Sequence, residues 1–566
     1  MRISKRRIAL ILAAVLAGGP CLGQSGEETA AQTAPTGAAQ STMASPTGVA
    51  QSAMASASTA DHSKFKILQQ SFASGPEVTA ACLSCHTEAS DQVMHSLHWT
   101  WDYTQPGTGT RLGKASVINS FCGNVASNEQ RCTSCHAGYG WDDVRQPAPT
   151  NPAQVDCLAC HDRSGQYAKA DNMAGHPPLD PVPAGTKTIT GADAWPVDLA
   201  RAAQSVGPPG RDNCGNCHFN GGGGDNVKHG DLSSALLNPS RATDVHMSAD
   251  GPNFTCDTCH VSDRHQVAGS RYDVLAHDDK GLPAPGMRRD VATCESCHSA
   301  TPHPATLIGL KLNDHATRIA CQTCHIPEFA RGGVATKTFW DWSTAGRLKD
   351  GKPFSLHDFT QSYGKELHTY LSTKGDFEWA ENVVPVYAWF DGQVRYTTAD
   401  TPIDPTAVVE INKVQGAPED PDSRIWPFKR MEGRQAYDTV LNRLVHTQVW
   451  GPTTDSAFWT NFDWAKSIQA AMDYVGADYS GQFDFVDTHM YWPITHMVAP
   501  AADALDCQSC HARDGRLADV AGLYMPGTGT PLGGRIGLAL LLAALAGVGI
   551  HGAVRLIRRE GGNHHG

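Results

Sequence analysis

The stretch Arg131-Cys132-Thr-Ser-Cys135-His136-Ala-Gly-Tyr-Gly-Trp141, followed by Asp156-Cys157-Leu-Ala-Cys160-His161, decides how this chain has to be read. Two cysteines separated by two residues, with a histidine directly after the second, form the signature of covalent haem attachment. The thiols add across the two vinyl groups of the porphyrin, and the adjacent histidine is held under the iron as an axial ligand. Working outward, the same pattern stands before it at Cys82/Cys85/His86. It recurs after it at Cys214/Cys217/His218, Cys256/Cys259/His260, Cys294/Cys297/His298, Cys321/Cys324/His325 and Cys507/Cys510/His511. Cys-x-x-Cys alone would also suit zinc or a redox disulfide, but histidine at the same offset eight times excludes both. The expected cofactors are eight covalently bound haem c groups, each with its iron.

Seven of the motifs lie between Cys82 and His325, about one per 35 residues, which is too little chain to wrap each haem in its own apolar core. The haems must therefore form much of the core and approach one another as a continuous chain. The fold expected is a multihaem cytochrome c: mainly α with long irregular loops, a haem-stack core, minor β-hairpin content and one C-terminal transmembrane helix. The 55 glycines and 34 prolines favour irregular structure over long helical bundles. Before Cys507 comes a long tryptophan-rich insert that should cover the haem stack. In it "WAKSIQAAMDYVG" from Trp464 reads as a helix, and "VVPVYAWFDGQVRYTT" from Val383 as a hairpin turning at Asp391-Gly392.

The ends set the expected topology. Arg2, Lys5, Arg6 and Arg7 precede an apolar run and small residues, a signal peptide over 1–23 that takes Cys21 with it on cleavage. Residues 24–60 lack periodic apolar positions and read as a disordered linker. The haem-bearing domain then runs over 61–520 and a second linker over 521–535. Residues 536–554 carry no formal charge and nearly span a hydrocarbon core of about 30 Å. Arg555, Arg558 and Arg559 follow them against Arg535 alone before, which puts the tail 555–566 in the cytoplasm and the main body on the periplasmic face of the inner membrane. His551 in that segment and His564 and His565 in the tail read as structural or solvated. The net charge of −12, with no basic tract outside the termini, excludes nucleic acid as a partner.

A second strong axial ligand closes an iron, whereas a weak or missing one leaves it open to substrate. Eighteen histidines lie outside the motifs. Those favoured as distal ligands are His62, His98, His246, His265, His303, His315 and His496; His95, His176, His277, His357, His368, His446 and His489 are weaker candidates. In "CGNCHFNGGGGDNVKHGDL" from Cys214, four glycines let the backbone pass close to a flat ring, and Lys228 and His229 follow. A lysine binds iron only as the neutral amine, which burial beside a cationic centre favours; the bland alternative is a solvated loop lysine. Cys122 is the one unpaired cysteine of the mature body, either an inert buried thiol or a reactive group, with Lys114 as a second lysine nearby.

Several long segments resemble the octahaem cytochromes of the tetrathionate reductase type. They are "GPEVTAACLSCH" from Gly75, "HWTW" from His98, "INSFC" ending at Cys122, "RCTSCHAGYGW" from Arg131, the glycine-rich segment above, "RIACQTCHIPEFARGG" from Arg318 and "YWPITHMVAP" from Tyr491. The resemblance implies one catalytic haem whose distal ligand is lysine, with a cysteine in its pocket, and seven haems closed by two histidines. Carried onto this chain, the catalytic haem is the second, on Cys132, Cys135 and His136, with Lys228 as ligand, Lys114 in reserve and Cys122 nearby. The linker and the C-terminal helix are additions to the soluble family pattern.

The leading expectation is a membrane-anchored reductase of tetrathionate, nitrite or hydroxylamine, fed by a quinol-linked membrane protein or a periplasmic cytochrome. Lys228, with His229 or Arg131, would hold the anion. The alternative is a non-catalytic conduit with all eight irons closed. Oxidation of hydroxylamine ranks last, as nothing points to the tyrosine–porphyrin cross-link it uses. Oligomeric state is not legible.

Overall fold

The computed structural model describes residues 60–278, 280, 290–451, 454–525 and 532–561, with the side chains of 532 and 559–561 undescribed. The expected signal peptide, the expected linker up to residue 59 and the last five residues lie outside the described residues.

From residue 60 to His325 the chain is a series of one- to two-turn helices joined by loops, and the motifs sit on those turns. Ahead of the first, third and eighth motifs an acidic or hydroxyl side chain stops the preceding loop and starts the turn by accepting an otherwise orphaned amide. Asp156 caps Cys157–His161 through Ala159 N at 3.0 Å, Asp506 caps Cys507–Cys510 through Ser509 N at 2.8 Å, and Ser74 caps Gly75–Leu83, which ends in the first motif. In the first, fifth, sixth and eighth motifs the histidine amide bonds the carbonyl of the first cysteine at 2.9 Å, closing one α turn. The second departs from this. The α turn Glu129–Cys132 tightens into a 3-10 turn, Thr133–Cys135, and His136 N bonds Thr133 O at 2.8 Å.

The insert corrects the expected fold class, because it is a large sheet rather than minor hairpins. Its strands are β1 (Thr336–Asp341), β2 (Ser355–Leu356), β3 (Tyr370–Leu371), β4 (Gly375–Ala380), β5 (Val386–Phe390), β6 (Val409–Glu410), β7 (Arg424–Asp438), β8 (Arg443–Leu444) and β9 (Phe483–Pro493). The order is β6-β9-β7-β1-β4-β3-β2, with β5 and β8 also on β7. β7 and β9 pair antiparallel from Phe428↔Pro493 to Asp438↔Phe483, and β7 runs parallel to β1 at Glu432↔Phe339. Alternating aromatic and β-branched residues make these strands, but partners lie up to a hundred residues apart, so local pattern could not pair them.

The hairpin expected at Asp391-Gly392 does not form. Val386–Phe390 pairs with Arg424–Phe428, while Val394–Tyr396 pairs with Asn412–Val414. Gly392 has φ +95, and a Cβ there would lie 2.1 Å from Val274 O, so the Asp-Gly pair marks a close backbone approach. The expected helix is present as Trp464–Val475, capped by Asp463 and ended by Gly476 at φ +67. It buries Ile468, Ala471 and Met472 against Ala436 and Val445.

The sheet's face toward the motif-bearing half carries the main apolar cluster, with Trp340, Trp342, Met431, Met490 and Trp492 packed on Ile118, Phe121 and Val227. This brings the "INSFC" segment and the glycine-rich loop against one surface. Further on, Leu532–Gly561 is a single helix in which Gly533–Arg558 is long and apolar enough to cross a membrane. That span contains and extends beyond 536–554.

Candidate functional site

Seven motif histidines each face one other histidine ring. The pairs are His62–His86 (centroids 6.3 Å apart), His98–His218 (6.1 Å), His161–His265 (6.5 Å), His246–His298 (5.9 Å), His260–His496 (6.1 Å), His303–His325 (6.3 Å) and His315–His511 (6.1 Å). Two imidazoles bound to one metal from opposite sides place their centroids roughly 6 Å apart, at about 2 Å per metal–nitrogen bond plus about 1 Å from nitrogen to centroid. The seven partners are the seven favoured by sequence.

The second nitrogen of these rings fits the same reading. Nδ1 of His161 meets Gly207 O at 2.9 Å, His260 meets Ala268 O at 2.9 Å and His265 meets Gln92 Oε1 at 2.9 Å. His303 meets Asn313 Oδ1 at 3.0 Å, and His496 meets Asp231 Oδ2 at 3.1 Å. An acceptor on Nδ1 fixes the tautomer that leaves the Nε2 lone pair free for a metal. Burial lowers the His496 pKa, but the Asp231 bond and charge outweigh it and leave it raised. Large apolar side chains stand exposed beside the non-motif histidines: Phe65 near His62, Leu97 near His98, Val267 near His265, and Leu307, Ile308 and Leu310 between His303 and His315. A porphyrin face covers such groups, so the residues present fit haem.

Of the weaker candidates, His95 pairs with Asp91, His176 stacks on Tyr139, His357 and His368 face each other at 4.1 Å, and His489 sits by Tyr491 and Glu432. His446 is half-buried with its amide on Met472 Sδ, and His277 is half-buried as well. Arg131 is already engaged by Asp171 at 2.8 Å and lies 4.9 Å from the Trp459 ring, so it is not a free cation.

The second motif is different throughout. His136 is 1% exposed, and its ring is enclosed by Trp99, Trp101 and Trp141 at 4.8, 5.3 and 4.9 Å. Burial pushes its pKa down to about 3, so it is neutral. Its Nε2 donates to Trp99 O at 2.7 Å and its Nδ1 has no partner, so an axial bond from Nε2 requires the ring to turn off that carbonyl. No described histidine ring meets it.

Around this motif, besides the Lys169–Asp156 and Arg131–Asp171 ion pairs, the structure gathers cations with no carboxylate partner among the described residues. Lys228 is buried with Nζ 4.8 Å from the Trp492 ring, and Arg271 lies 4.6 Å from the same ring with Nη1 unpartnered. Burial, then the charges of Arg271 and Lys114, pull the Lys228 pKa well down. Lys114, half-buried over Trp101 at 4.5 Å, is within electrostatic reach of Cys132, Cys135 and His136, whereas Lys228 acts on Cys135. Lys337, caged by Trp340, Phe377 and Trp379, is pulled far down by burial, and Lys374 is pulled to about 8; both act on Cys122. Cys122 follows Phe121, whose φ of +137 is strained for a bulky residue, and lines a cavity of about 30 Å³ with Asn119, Gln435 and Trp342. Sequence reasoning missed Lys337, Lys374, Arg271 and Asp231; lysines within aromatic strand sequence were the available signal for the first two.

The motifs also touch one another. Thiol partners are Cys82 with Cys157, Cys135 with Cys217, Cys214 with Cys256, and Cys294 with Cys321. Cys160 is within reach of Cys214 and Cys217, Cys259 of Cys297, and Cys324 of Cys507 and Cys510. The motifs thus form a line, first, third, fourth, fifth, sixth, seventh and eighth, with the second attached at the fourth.

Among the attachment thiols the protein atoms leave Cys85, Cys160, Cys259, Cys297 and Cys507 exposed and half-bury both thiols of the second motif. Cys85 Sγ lies 3.8 Å from Ser84 Oγ, a neighbour in its own turn, and its amide bonds Cys82 O at 3.0 Å. A porphyrin attached at such a thiol would cover it, as the expected haem-stack core requires.

Attachment motifs in contact and histidines in facing pairs define a multihaem cytochrome of the c type. A family model described as "Cytochrome c bacterial" matches residues 337–514. The crystal structure of an octaheme cytochrome c from Shewanella oneidensis is 38% identical, with a TM-score of 0.68, covering 84% of this chain and 98% of that one. An uncharacterized protein of Archaeoglobus fulgidus is 24% identical over 264 residues, 39% of this chain and 84% of its own. This chain belongs to the octahaem cytochromes c; it binds haem c covalently and transfers electrons.

Proposed function

We propose that the chain is a periplasmic, membrane-anchored reductase carrying eight haems. Seven are held between paired histidines and relay electrons to one on Cys132 and Cys135, where a small sulfur or nitrogen compound, tetrathionate, nitrite or hydroxylamine, is reduced. One observation carries this reading: seven motif histidines face a second histidine, and His136 faces none among the described residues while the buried Lys228 lies within electrostatic reach of Cys135. When bound, haem c supplies one-electron chemistry, and an iron with a displaceable ligand takes substrate directly.

The chain's own residues supply the rest. Burial and the like charges of Arg271 and Lys114 shift Lys228 toward the neutral amine, the form with a lone pair to donate. Arg271 and Lys374 have no ion-pair partner among the described residues and form a positive field that draws an anion inward. Burial shifts Lys337 toward its neutral form in the same way, and a nearby anion favours its protonated one. Trp99, Trp101 and Trp141 exclude water from His136. Cys122 puts a thiol beside the Cys132 side of the site. Splitting the central S–S bond of tetrathionate into two thiosulfates consumes two electrons, delivered along the line of motifs from a quinol-linked membrane protein or a periplasmic cytochrome. The helix 533–558 supports the anchoring.

The conduit reading needs a strong, permanent second ligand opposite His136, and no described histidine provides it. Low-temperature electron paramagnetic resonance of the purified protein, with and without nitrite, hydroxylamine or tetrathionate, tests the proposal. One ferric signal should respond to ligand and change in Lys228→Ala. A spectrum indifferent to all three compounds and to Lys228→Ala would sink it.

A further inference from the structure

Lys429 lies on β7 with no exposed surface. Its Nζ donates to Val227 O at 2.8 Å, to Lys228 O at 3.1 Å and to Thr336 Oγ1 at 2.7 Å. The Thr336 hydroxyl spends its own proton on Asn226 O at 2.6 Å, so towards Lys429 it can only accept. Three acceptors therefore take three N–H groups. Only the charged ammonium has three; the neutral amine has two. Burial pulls the Lys429 pKa down, and the three acceptors, with the more distant charge of Asp231, hold the proton against it. A buried ammonium with no carboxylate in contact is costly, and methionine would fill the same space without that cost.

What the charge obtains is a fixed loop. Asn226 is held in the left-handed region at φ +59, its side chain donating to Val334 O at 2.8 Å. Gly230, at φ +86, presses on Phe329 and on the Lys429 stem, where a Cβ would meet them at 2.8 and 3.0 Å. Gly222 closes on the Lys228 side chain from the other direction, at 3.1 Å from a Cβ. The three groups bound by the ammonium lie next to the Lys228 side chain, two of them on the loop backbone and one bridging to it.

We propose that Lys429 is a positioning residue for the second haem, fixing the Val227 and Lys228 carbonyls so that the Lys228 amine is presented to the iron. This rests on the reading of Lys228 as the axial ligand. Lys429 itself touches neither substrate nor cofactor.

The test uses full-length, haem-loaded protein in four forms: wild type, Lys228→Ala, Lys429→Met and Thr336→Val. Lys429→Met keeps the stem and removes the donors. Thr336→Val removes one acceptor and preserves the shape, and it decides the matter where Lys429→Met fails to fold. The readout is the electron paramagnetic resonance signal that Lys228→Ala alters, against the bis-histidine signals as internal control. In Lys429→Met the population of that iron lacking its protein ligand should rise at least about tenfold, the loss of one charge-assisted bond, with a smaller change of the same sign in Thr336→Val. The bis-histidine signals should stay as in wild type. A signal that changes in Lys228→Ala but is wild-type in both other folded variants overturns the role of Lys429 alone. A signal unmoved by Lys228→Ala overturns the ligand reading and this inference with it.

Discussion

Replacing Lys169 by methionine tests how the second and third motifs are held together. Lys169 Nζ lies 3.0 Å from Asp156 Oδ2, with the two side chains 3% and 0% exposed, and donates to His136 O at 2.6 Å. Asp156 also accepts from the hydroxyls of Tyr139 at 2.8 Å and Tyr167 at 2.7 Å and caps the third motif through Ala159 N at 3.0 Å. Removing one partner of a buried ion pair costs about 3–5 kcal/mol, because the other charge stays behind. Three donors remain on the carboxylate, so about 3 kcal/mol is the expected loss. An unfolding entropy of about 2 cal/mol/K per residue over 60–525 comes to roughly 1 kcal/mol per degree, so a body that melts as one unit should lose about 3 °C. Calorimetry of the haem-loaded protein measures this. The double variant Lys169→Met/Asp156→Asn removes both charges, leaves the tyrosine hydroxyls an oxygen to bind, and should recover at least half of the loss. An unchanged midpoint in Lys169→Met, or a double variant that loses the sum of the singles, refutes the argument.

Glu129 is buried and accepts from Tyr474 OH at 2.8 Å, and burial raises its carboxyl pKa. A folded pKa above the unfolded one means that the native state binds more protons between the two values, so stability falls as pH rises through that window. Glu129→Gln keeps the acceptor and removes the charge. It should raise the melting midpoint at pH 7, with the gain vanishing below about pH 4, where the unfolded chain is protonated as well; equal gains at both pH values would show another cause. Ending the chain after Met525 should move the protein from the membrane to the soluble fraction with its haem spectrum intact, and retention in the membrane would show that the helix 533–558 is not the anchor.

What could be read from sequence was whatever is local. A Cys-x-x-Cys-His motif carries its geometry within one helical turn, and the seven histidines favoured as partners all stand opposite a motif histidine. Trp464–Val475 announces its helix by its own period, cap and terminal glycine. The motif does not say which of its thiols faces inward, as Cys82 against Cys157 and the exposed Cys85 show. The sheet was not legible, because β1 and β7 meet in parallel across ninety residues and aromatic strand pattern does not name its partner. Nor were Asp231 and Lys429, whose partners stand more than two hundred residues away. Lys228 stood out by its glycine-rich neighbourhood, but its burial depends on Trp492 arriving from β9. The general rule is physical: a group whose meaning comes from one turn of chain is visible early, and one whose meaning comes from a contact between distant segments is not.

The order of the motifs bears on which functional reading the molecule favours. Thiols of the first and third, fourth and fifth, and sixth and seventh motifs are partners, and those of the third and fourth, fifth and sixth, and seventh and eighth lie within electrostatic reach, so the line connects without help from the second motif. The second motif meets the fourth through Cys135 and Cys217 and the third through Lys169 and Asp156, and a conduit gains nothing from a side member that the line does not need. A reductase gains a terminus at which electrons collect while the line refills. The branch is also where the helical turn tightens, where no described histidine faces the motif, where Phe121 is strained and where Lys228 and Lys337 are buried with no carboxylate partner among the described residues. Strained backbone and unpaired buried lysines cost stability, and a fold that only had to pass electrons would have no reason to concentrate them beside one motif.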